Sequence, residues 1–269
     1  MALKDILVHI DYAPHCPGRL ALAVNLAQKH NARLTGLYVI SHPHYQPQNE
    51  NANISVDEAR ADFEQVTTMA GISADWLNID WPVTGVSISE IIIKFAYLKD
   101  LVIVGQAQPR SDNSGSPSDL PEQVVAGSGR PVLIVPYAGS FNSIGERVMI
   151  AWRNGRESTR ALNDSMSFLQ AAEDVKLLEV NPTTHIETVS MLSSNAVCSH
   201  LKSHGINATA EQLQSPEIAI GDIMLNQAWG HGCDLLVMGA YTNTARKLVL
   251  GKVAQHVLKH MTLPVLMSH

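Results

Sequence analysis

The chain is poor in the features that mark several large classes of protein. Its 269 residues include three cysteines, 16% charged residues and 5% aromatic residues. The odd number of cysteines and the lack of a C-x-x-C pair disfavour a disulfide framework and favour free thiols. No apolar run approaches the roughly 18 residues that a membrane span requires, and the opening MALKDILVHID lacks the basic and long apolar regions of a signal peptide. We therefore expect a cytoplasmic protein with no membrane partner.

Neither half of the chain has the basic excess of a nucleic-acid or anionic-membrane binder. Residues 1–140 contain nine Lys and Arg against fourteen Asp and Glu, and residues 141–269 contain ten against eleven. The hydrophobic fraction of 45% is ample for packed cores and argues against general disorder. These proportions predict a globular protein that does not bind nucleic acid.

The sequence repeats itself once along its length. DLVIVGQ, which begins at Asp100, is matched by DLLVMGA, which begins at Asp234. RPVLIV at residues 130–135 is matched by LPVLMS at residues 263–268, and the apolar runs at 6–8 and 148–150 open the two copies. Matches in the same order at one long offset indicate a duplicated domain and not a short solenoid repeat.

Within each copy, short apolar runs alternate with stretches of helical period, which is typical of βαβ units on a buried parallel sheet. In the first copy the pattern predicts strands near 5–10, 34–40, 75–80, 101–105 and 131–135, with helices near 18–30, 56–71, 87–98 and 120–127. In the second copy it predicts strands near 147–152, 175–180, 207–213, 235–239 and 264–268, with helices near 157–171, 186–204, 217–230 and 252–261. We predict two tandem α/β domains, residues 1–140 and 141–269, each a doubly wound, Rossmann-like parallel sheet of five strands. The uncharged, turn-rich segment Pro136 to Gly145 is the predicted linker.

The order of these segments resembles the tandem form of the universal stress proteins over nearly the whole chain. The resemblance is carried by KDILVHID, RLTGLYV, DLVIVGQ and LPEQVV with RPVLIVPYAG, then by VMIAW, RESTRALNDS, DLLVMGAY and PVLMSH. It implies that the last strands of the two copies pair across a dyad, so that the chain is an intramolecular pseudo-dimer with the option of a further homodimer. It also implies a stress-response role through a protein partner that the sequence does not identify.

The resemblance further implies where a nucleotide would bind. Nucleotide-binding members of the family have an Asp at the end of the first strand and a G-x-x-G-x9-G-[S/T] loop after the fourth. In the first copy Asp11 and Gly105 hold these positions, but Gln108 replaces the second glycine and Ser118-Asp119 replaces Gly-[S/T]. Asp119 to Glu122 predicts a capping box whose carboxylates would oppose a polyphosphate. We therefore expect the first copy to bind no nucleotide.

The second copy keeps other parts of the pattern. Gly239 and Gly251 remain, while Thr242 replaces the middle glycine and Lys252 follows Gly251 in place of Ser or Thr. Arg153 or Asn154 stands where the first copy has Asp11.

A cationic cluster lies close to these glycines. Arg246, Lys247 and Lys252 come near a predicted helix start, where an anion is stabilised. The cluster favours a phosphate-bearing ligand, and the resemblance implies that this ligand of the second copy is ATP or another adenine nucleotide. Gly239 and Gly251 are equally explained as residues of tight turns. No cofactor is certain.

No recognisable motif places a base beside a nucleophile. The sequence lacks a G-x-S-x-G elbow and a GK[ST] phosphate loop. The pairs His42–His44 and His256–His260 have no partner at a familiar zinc spacing. We therefore predict no catalytic residue and no metal site, and we interpret the chain as a binding and regulatory module. The alternatives are a weak ATP-hydrolysing or adenylyl-transferring enzyme on the same fold, and a structural pseudo-dimer with no ligand.

Overall fold

The computed structural model describes residues 3–41, 50–81, 86–107, 116–181, 193–215, 217–240 and 250–269. The chain divides into two compact units, residues 2–142 and residues 143–269. We call them the N-terminal unit and the C-terminal unit.

The N-terminal unit is a parallel sheet covered by helices. Its strands are β1 (Asp5–Ile10), β2 (Arg33–Ser41), β3 (Ala74–Trp81), β4 (Leu101–Gly105) and β5 (Val132–Val135). Its described helices are α1 (Cys16–His30), α2 (Glu50–Ala70), α3 (Ile88–Ala96) and α4 (Leu120–Gly127). The strands pair in the order β3-β2-β1-β4-β5, so the strand order reverses between β1 and β4.

The C-terminal unit has the same topology. Its strands are β6 (Arg147–Trp152), β7 (Asp174–Val180), β8 (Ala208–Leu213), β9 (Leu235–Gly239) and β10 (Val265–Ser268). Its described helices are α5 (Arg156–Asp164), α6 (Met166–Leu169), α7 (Ser194–Ser203), α8 (Ile220–Gly230) and α9 (Lys252–His260). The parallel order is β8-β7-β6-β9-β10, with the reversal between β6 and β9.

The central strands form the cores of both units. Ile6, Leu7 and Val8 of β1 and the stretch 101–104 of β4 are fully buried. A parallel sheet with helices on its faces has no solvated side, which is why these strands are continuous apolar runs and do not alternate with polar residues. The predicted α/β fold of tandem doubly wound sheets is confirmed.

Side-chain caps place several helix ends. The Ser87 hydroxyl accepts a hydrogen bond from the backbone N–H of Glu90 at the start of α3, and Ser193 does the same for Ala196 at the start of α7. Asn31 ends α1 in the left-handed region at φ 51°, a conformation that Asn tolerates better than most residues. The two serines thus mark where α3 and α7 begin, and Asn31 marks where α1 ends.

Two predicted helices differ most from those in the structure. The helix predicted at 157–171 is interrupted at Ser165, whose buried hydroxyl donates to the carbonyl of Leu162 and competes with the regular backbone pattern. The helix predicted to start at 186 has its start at Ser194 because Ser193 is the cap, and residues 182–192 lie outside the described ranges. None of the helices in the described ranges has the length and apolar character needed to cross a bilayer.

Candidate functional site

The first candidate site lies where β1 and β4 end side by side. Asp11 directly follows β1, and Gly105 is the last residue of β4. Doubly wound sheets bind ligands at the carboxyl ends of the strands, where the strand order reverses. The structure therefore brings Asp11 and Gly105 to the crevice in which a ligand would be expected.

The side chain of Arg19 fills this crevice. It comes from α1, is fully buried, and donates from Nε to the carbonyl of His9 at 2.9 Å and from Nη2 to Oδ1 of Asp11 at 2.8 Å. A Cβ atom at position 105 would lie 2.1 Å from Nη1 of Arg19 and 3.0 Å from Nε2 of His15. Gly105 is thus the residue type that lets the guanidinium pack against the end of β4.

Both carboxylate oxygens of Asp11 accept hydrogen bonds from the protein. Besides Arg19, Oδ1 accepts from the backbone N–H of Ala13 at 3.1 Å and Oδ2 accepts from the Ser116 hydroxyl at 3.0 Å. Burial raises the pKa of Asp11, but the charges of Arg19 and His9 and these hydrogen bonds lower it to about 2. Asp11 is therefore ionised and paired with Arg19, and both of its oxygens are engaged by the protein.

His9 is a further titratable side chain of the crevice, beside Asp11 and Arg19. Its ring is buried, and burial lowers its pKa to about 4 against the opposing effect of Asp11. At neutral pH the ring is uncharged, so the buried charges are those of one ion pair, Arg19 with Asp11. The cavity that remains beside them is about 20 Å³, lined among others by Gly105, Ser116 and His15. As bounded by the described residues, that space holds about one water molecule.

The start of α4, next to this crevice, is acidic. Asp119 is the N-cap residue, but its side chain makes no capping hydrogen bond, so the predicted capping box is wrong in that contact. The carboxylate of Asp119 accepts from the side-chain amide of Gln123 instead. Burial, and then the neighbouring Asp119, raise the pKa of Glu122. Two acids thus surround the terminus at which phosphates would have to bind.

Gly239, at the end of β9 in the C-terminal unit, has a packing role. A Cβ atom there would lie 2.7 Å from the backbone carbonyl carbon of Glu157 and 2.9 Å from the backbone nitrogen of Ser158. The first turn of α5 therefore rests directly on Gly239. This contact explains the glycine without a ligand, and the assignment of Gly239 to a nucleotide site stays a prediction.

The start of α9 differs from the start of α4. Gly251 is the N-cap residue with extended backbone, and its N–H donates to the carbonyl of Ala240 at 3.0 Å, which holds the helix start at the end of β9. Lys252 is the first helical residue and is exposed, and the first turn contains no acid and no side-chain cap. Thr242 and Arg246, the other two predicted contacts, lie outside the described residues.

Sequence reasoning missed Arg19 and a buried acid, Glu179. Arg19 lies on the buried face of α1 with Cys16, Leu20 and Ala23, and an arginine on an apolar helical stripe is the signal that could have identified it. Glu179 lies near the carboxyl end of β7 and is 8% exposed. Its only sequence signal is an acid at the end of a strand that is otherwise apolar.

The predicted histidine pair of α9 has a neighbour in α8. The rings of His256 and His260 are 4.5 Å apart, and Nε2 of His256 lies 2.7 Å from Oδ1 of Asp222. In the parts of the chain with assigned coordinates, no three His, Cys, Asp or Glu side chains gather as a metal site. The pair His42–His44 lies outside the described residues.

Comparison with known proteins points to one family. Residues 146–269 match the Universal stress protein family. A universal stress protein from Archaeoglobus fulgidus DSM 4304 has a similar structure, with 15% identity and a TM-score of 0.73 over 98% of this chain and 97% of that one. A functionally unknown protein from Pseudomonas aeruginosa PAO1 matches with 16% identity and a TM-score of 0.66 over 99% and 92% of the two chains. Among curated proteins, none matches.

Proposed function

We propose that this chain is a non-enzymatic stress-response module that binds an adenine nucleotide in the C-terminal unit alone. The premise is that residues 146–269 match the universal stress protein family and that the full chain has the fold of a universal stress protein. The output of the module is a contact with a protein partner. The nucleotide, ATP or a close relative, controls or stabilises that contact.

One observation carries the proposal: the two helix starts that follow the fourth strands have opposite electrostatic character. In the N-terminal unit Arg19 occupies the crevice, and the start of α4 has Asp119 as its cap and Glu122 in its first turn. In the C-terminal unit the start of α9 has an uncapped first turn that begins with exposed Lys252. Free N–H groups and a lysine at a helix start stabilise a phosphate, whereas acids at the same position repel it.

The experiment is an ATP titration of the wild-type protein and of Lys252→Glu, with Lys4→Glu as the control of equal charge change in the other unit. A charge-assisted hydrogen bond contributes about 1.5–3 kcal/mol, so Lys252→Glu should weaken ATP binding roughly ten-fold or more. Lys4 is exposed at the amino end of β1, and its replacement should leave the affinity unchanged. Equal ATP affinity of the wild type and Lys252→Glu would refute the assignment of the phosphate site to Lys252.

The absence of turnover is a separate part of the proposal. Both carboxylate oxygens of Asp11 already accept hydrogen bonds, from Arg19, Ala13 and Ser116, so magnesium would compete with these contacts. In the C-terminal unit the acid next to the end of β9 is Glu157, whose backbone packs on Gly239. Glu157 is therefore the residue to test for the rival hypothesis of a weak ATPase.

That rival is tested by phosphate release from ATP with magnesium or manganese, for the wild type, Asp11→Asn and Glu157→Gln. We expect no release above the rate without protein in all three. Clear release by the wild type that is lost in either variant would show catalysis and contradict the module hypothesis. Native mass spectrometry of freshly purified protein is an independent measurement. A co-purified nucleotide would raise the mass of the protein by the mass of that nucleotide.

A further inference from the structure

A polar network surrounds Glu179 at the carboxyl edge of the C-terminal sheet. Oε2 of Glu179 accepts from the Ser194 hydroxyl at 2.5 Å and from the side-chain amide of Gln212 at 3.0 Å. The same amide nitrogen lies 3.0 Å from the Ser194 oxygen. Strand register places Glu179 beside Trp152, the last residue of β6. Three elements, β7, β8 and α7, thus hold one carboxylate in a fixed position at the edge where this fold binds ligands.

The network leaves half of the carboxylate unused. Both donors bind Oε2, and Oε1 accepts no hydrogen bond within the described residues. The residue is buried, with 8% of its surface exposed to solvent. An ionised carboxylate is an acceptor only, and the chemical group that it selects is a donor such as a hydroxyl. A phosphate would be repelled.

The position of β7 in the sheet relates this acceptor to the start of α9. The order β9-β6-β7 puts two strand spacings, about 10 Å, between the ends of β9 and β7. Gly251 begins α9 at the end of β9. The ribose and phosphate chain of a nucleoside polyphosphate spans a separation of this size. In dinucleotide-binding doubly wound folds an acid near the end of the second strand hydrogen-bonds a ribose hydroxyl. β7 is the second strand of its unit, and Glu179 is its penultimate residue.

We propose that Glu179 binds the ribose hydroxyls of the nucleotide whose phosphates lie at Gly251 and Lys252. This inference rests on the proposed nucleotide binding by the C-terminal unit. It also explains how that unit could bind a nucleoside although Arg153 or Asn154 replaces an acid after its first strand. The negative charge of Glu179 keeps the phosphates away from β7, and the lysine attracts them to α9, so the two ends of the site orient the ligand.

The test compares ATP with 2′,3′-dideoxy-ATP, which lacks both ribose hydroxyls, by titration calorimetry. The proteins are the wild type, Glu179→Gln, and Glu211→Gln as the matched control. Glu211 lies in β8 one register position earlier, on the opposite face of the sheet, and pairs with His231 at 3.1 Å. We expect the wild type and Glu211→Gln to prefer ATP by roughly ten-fold or more, and Glu179→Gln to bind both nucleotides with the weaker affinity.

The outcomes separate the two proposals. If the wild type binds neither nucleotide, the proposed nucleotide binding is wrong and the ribose assignment is wrong with it. If the wild type binds both equally, or if Glu179→Gln keeps the full preference for ATP, nucleotide binding survives and the role of Glu179 is refuted. The wild-type comparison is independent of the stability of any variant. Helical content and thermal midpoint, measured for both variants, report whether Glu179 also supports the start of α7.

Discussion

Replacement of Arg19 by methionine is the sharpest test of the structure of the N-terminal unit. Methionine keeps much of the buried aliphatic length but removes the partner of Asp11 and the hydrogen bond to the carbonyl of His9. Breaking a buried ion pair by removing one partner costs about 3–5 kcal/mol, because the other charge stays buried without compensation. We therefore expect Arg19→Met to lower the free energy of unfolding of this unit by about that amount.

The pKa of Asp11 provides an independent estimate of the same interaction. Its pKa of about 2, against an ordinary value of 3.8, corresponds to about 2 kcal/mol of stability. Since the folded pKa is the lower one, this contribution is fully present above pH 3.8 and is lost as the pH falls through 2. In Arg19→Met burial dominates and raises the pKa of Asp11, so the sign reverses and the variant recovers stability as acid protonates the carboxyl group.

The assay is urea unfolding, followed by tryptophan fluorescence and circular dichroism at pH 7 and at pH 4, for the wild type, Arg19→Met, Asp11→Asn and the double variant. The unfolding curve is fitted with a separate transition for each unit, because a chain of two units can unfold in more than one step. If the ion pair is the dominant interaction, the double variant is less destabilised than the sum of the single variants. Additive losses, or a loss below about 1 kcal/mol for Arg19→Met, would refute the reasoning.

Three further substitutions test individual contacts. Gly239→Ala should destabilise the C-terminal unit by about 1–3 kcal/mol in thermal unfolding, because the new Cβ would lie 2.7 Å from the backbone of α5; a change near zero would show that α5 yields easily. Gly18→Ala, with no atom within 4 Å of the new Cβ, should stabilise α1 by about 0.5–1 kcal/mol, and a loss would contradict the open space there. His9 has a folded pKa of about 4 and an ordinary value of 6.5, so it should reduce stability by about 3 kcal/mol as the pH falls from 6.5 to 4. Unfolding free energies of His9→Gln should vary less over that interval, and an unchanged slope would show that His9 is not responsible.

The duplication and the strands could be predicted from the amino-acid sequence because their signals are local. The apolar runs 6–8 of β1 and 101–104 of β4 are fully buried, and an uninterrupted apolar run of this kind is a recognisable sign of a strand in a parallel sheet. The positions of Asp11 and Gly105 at one crevice also followed, since carboxyl ends of neighbouring parallel strands meet at one edge. Helix ends were less predictable, as at Ser165, because one hydroxyl that bonds a backbone carbonyl decides whether a helix continues.

The chemistry of that edge was decided only by the tertiary structure. Arg19 contacts Gly105, 86 positions away in sequence, and Gln212 contacts Glu179, 33 positions away. Such contacts depend on the rotation of each helix against the sheet and on the rotamers of the side chains involved. Neither of these can be read from the periodicity of the sequence. The sequence by itself therefore determined the two doubly wound sheets and the edge at which a ligand would bind. The tertiary structure decided that one edge is filled by the protein's own arginine and that the other presents an anchored carboxylate.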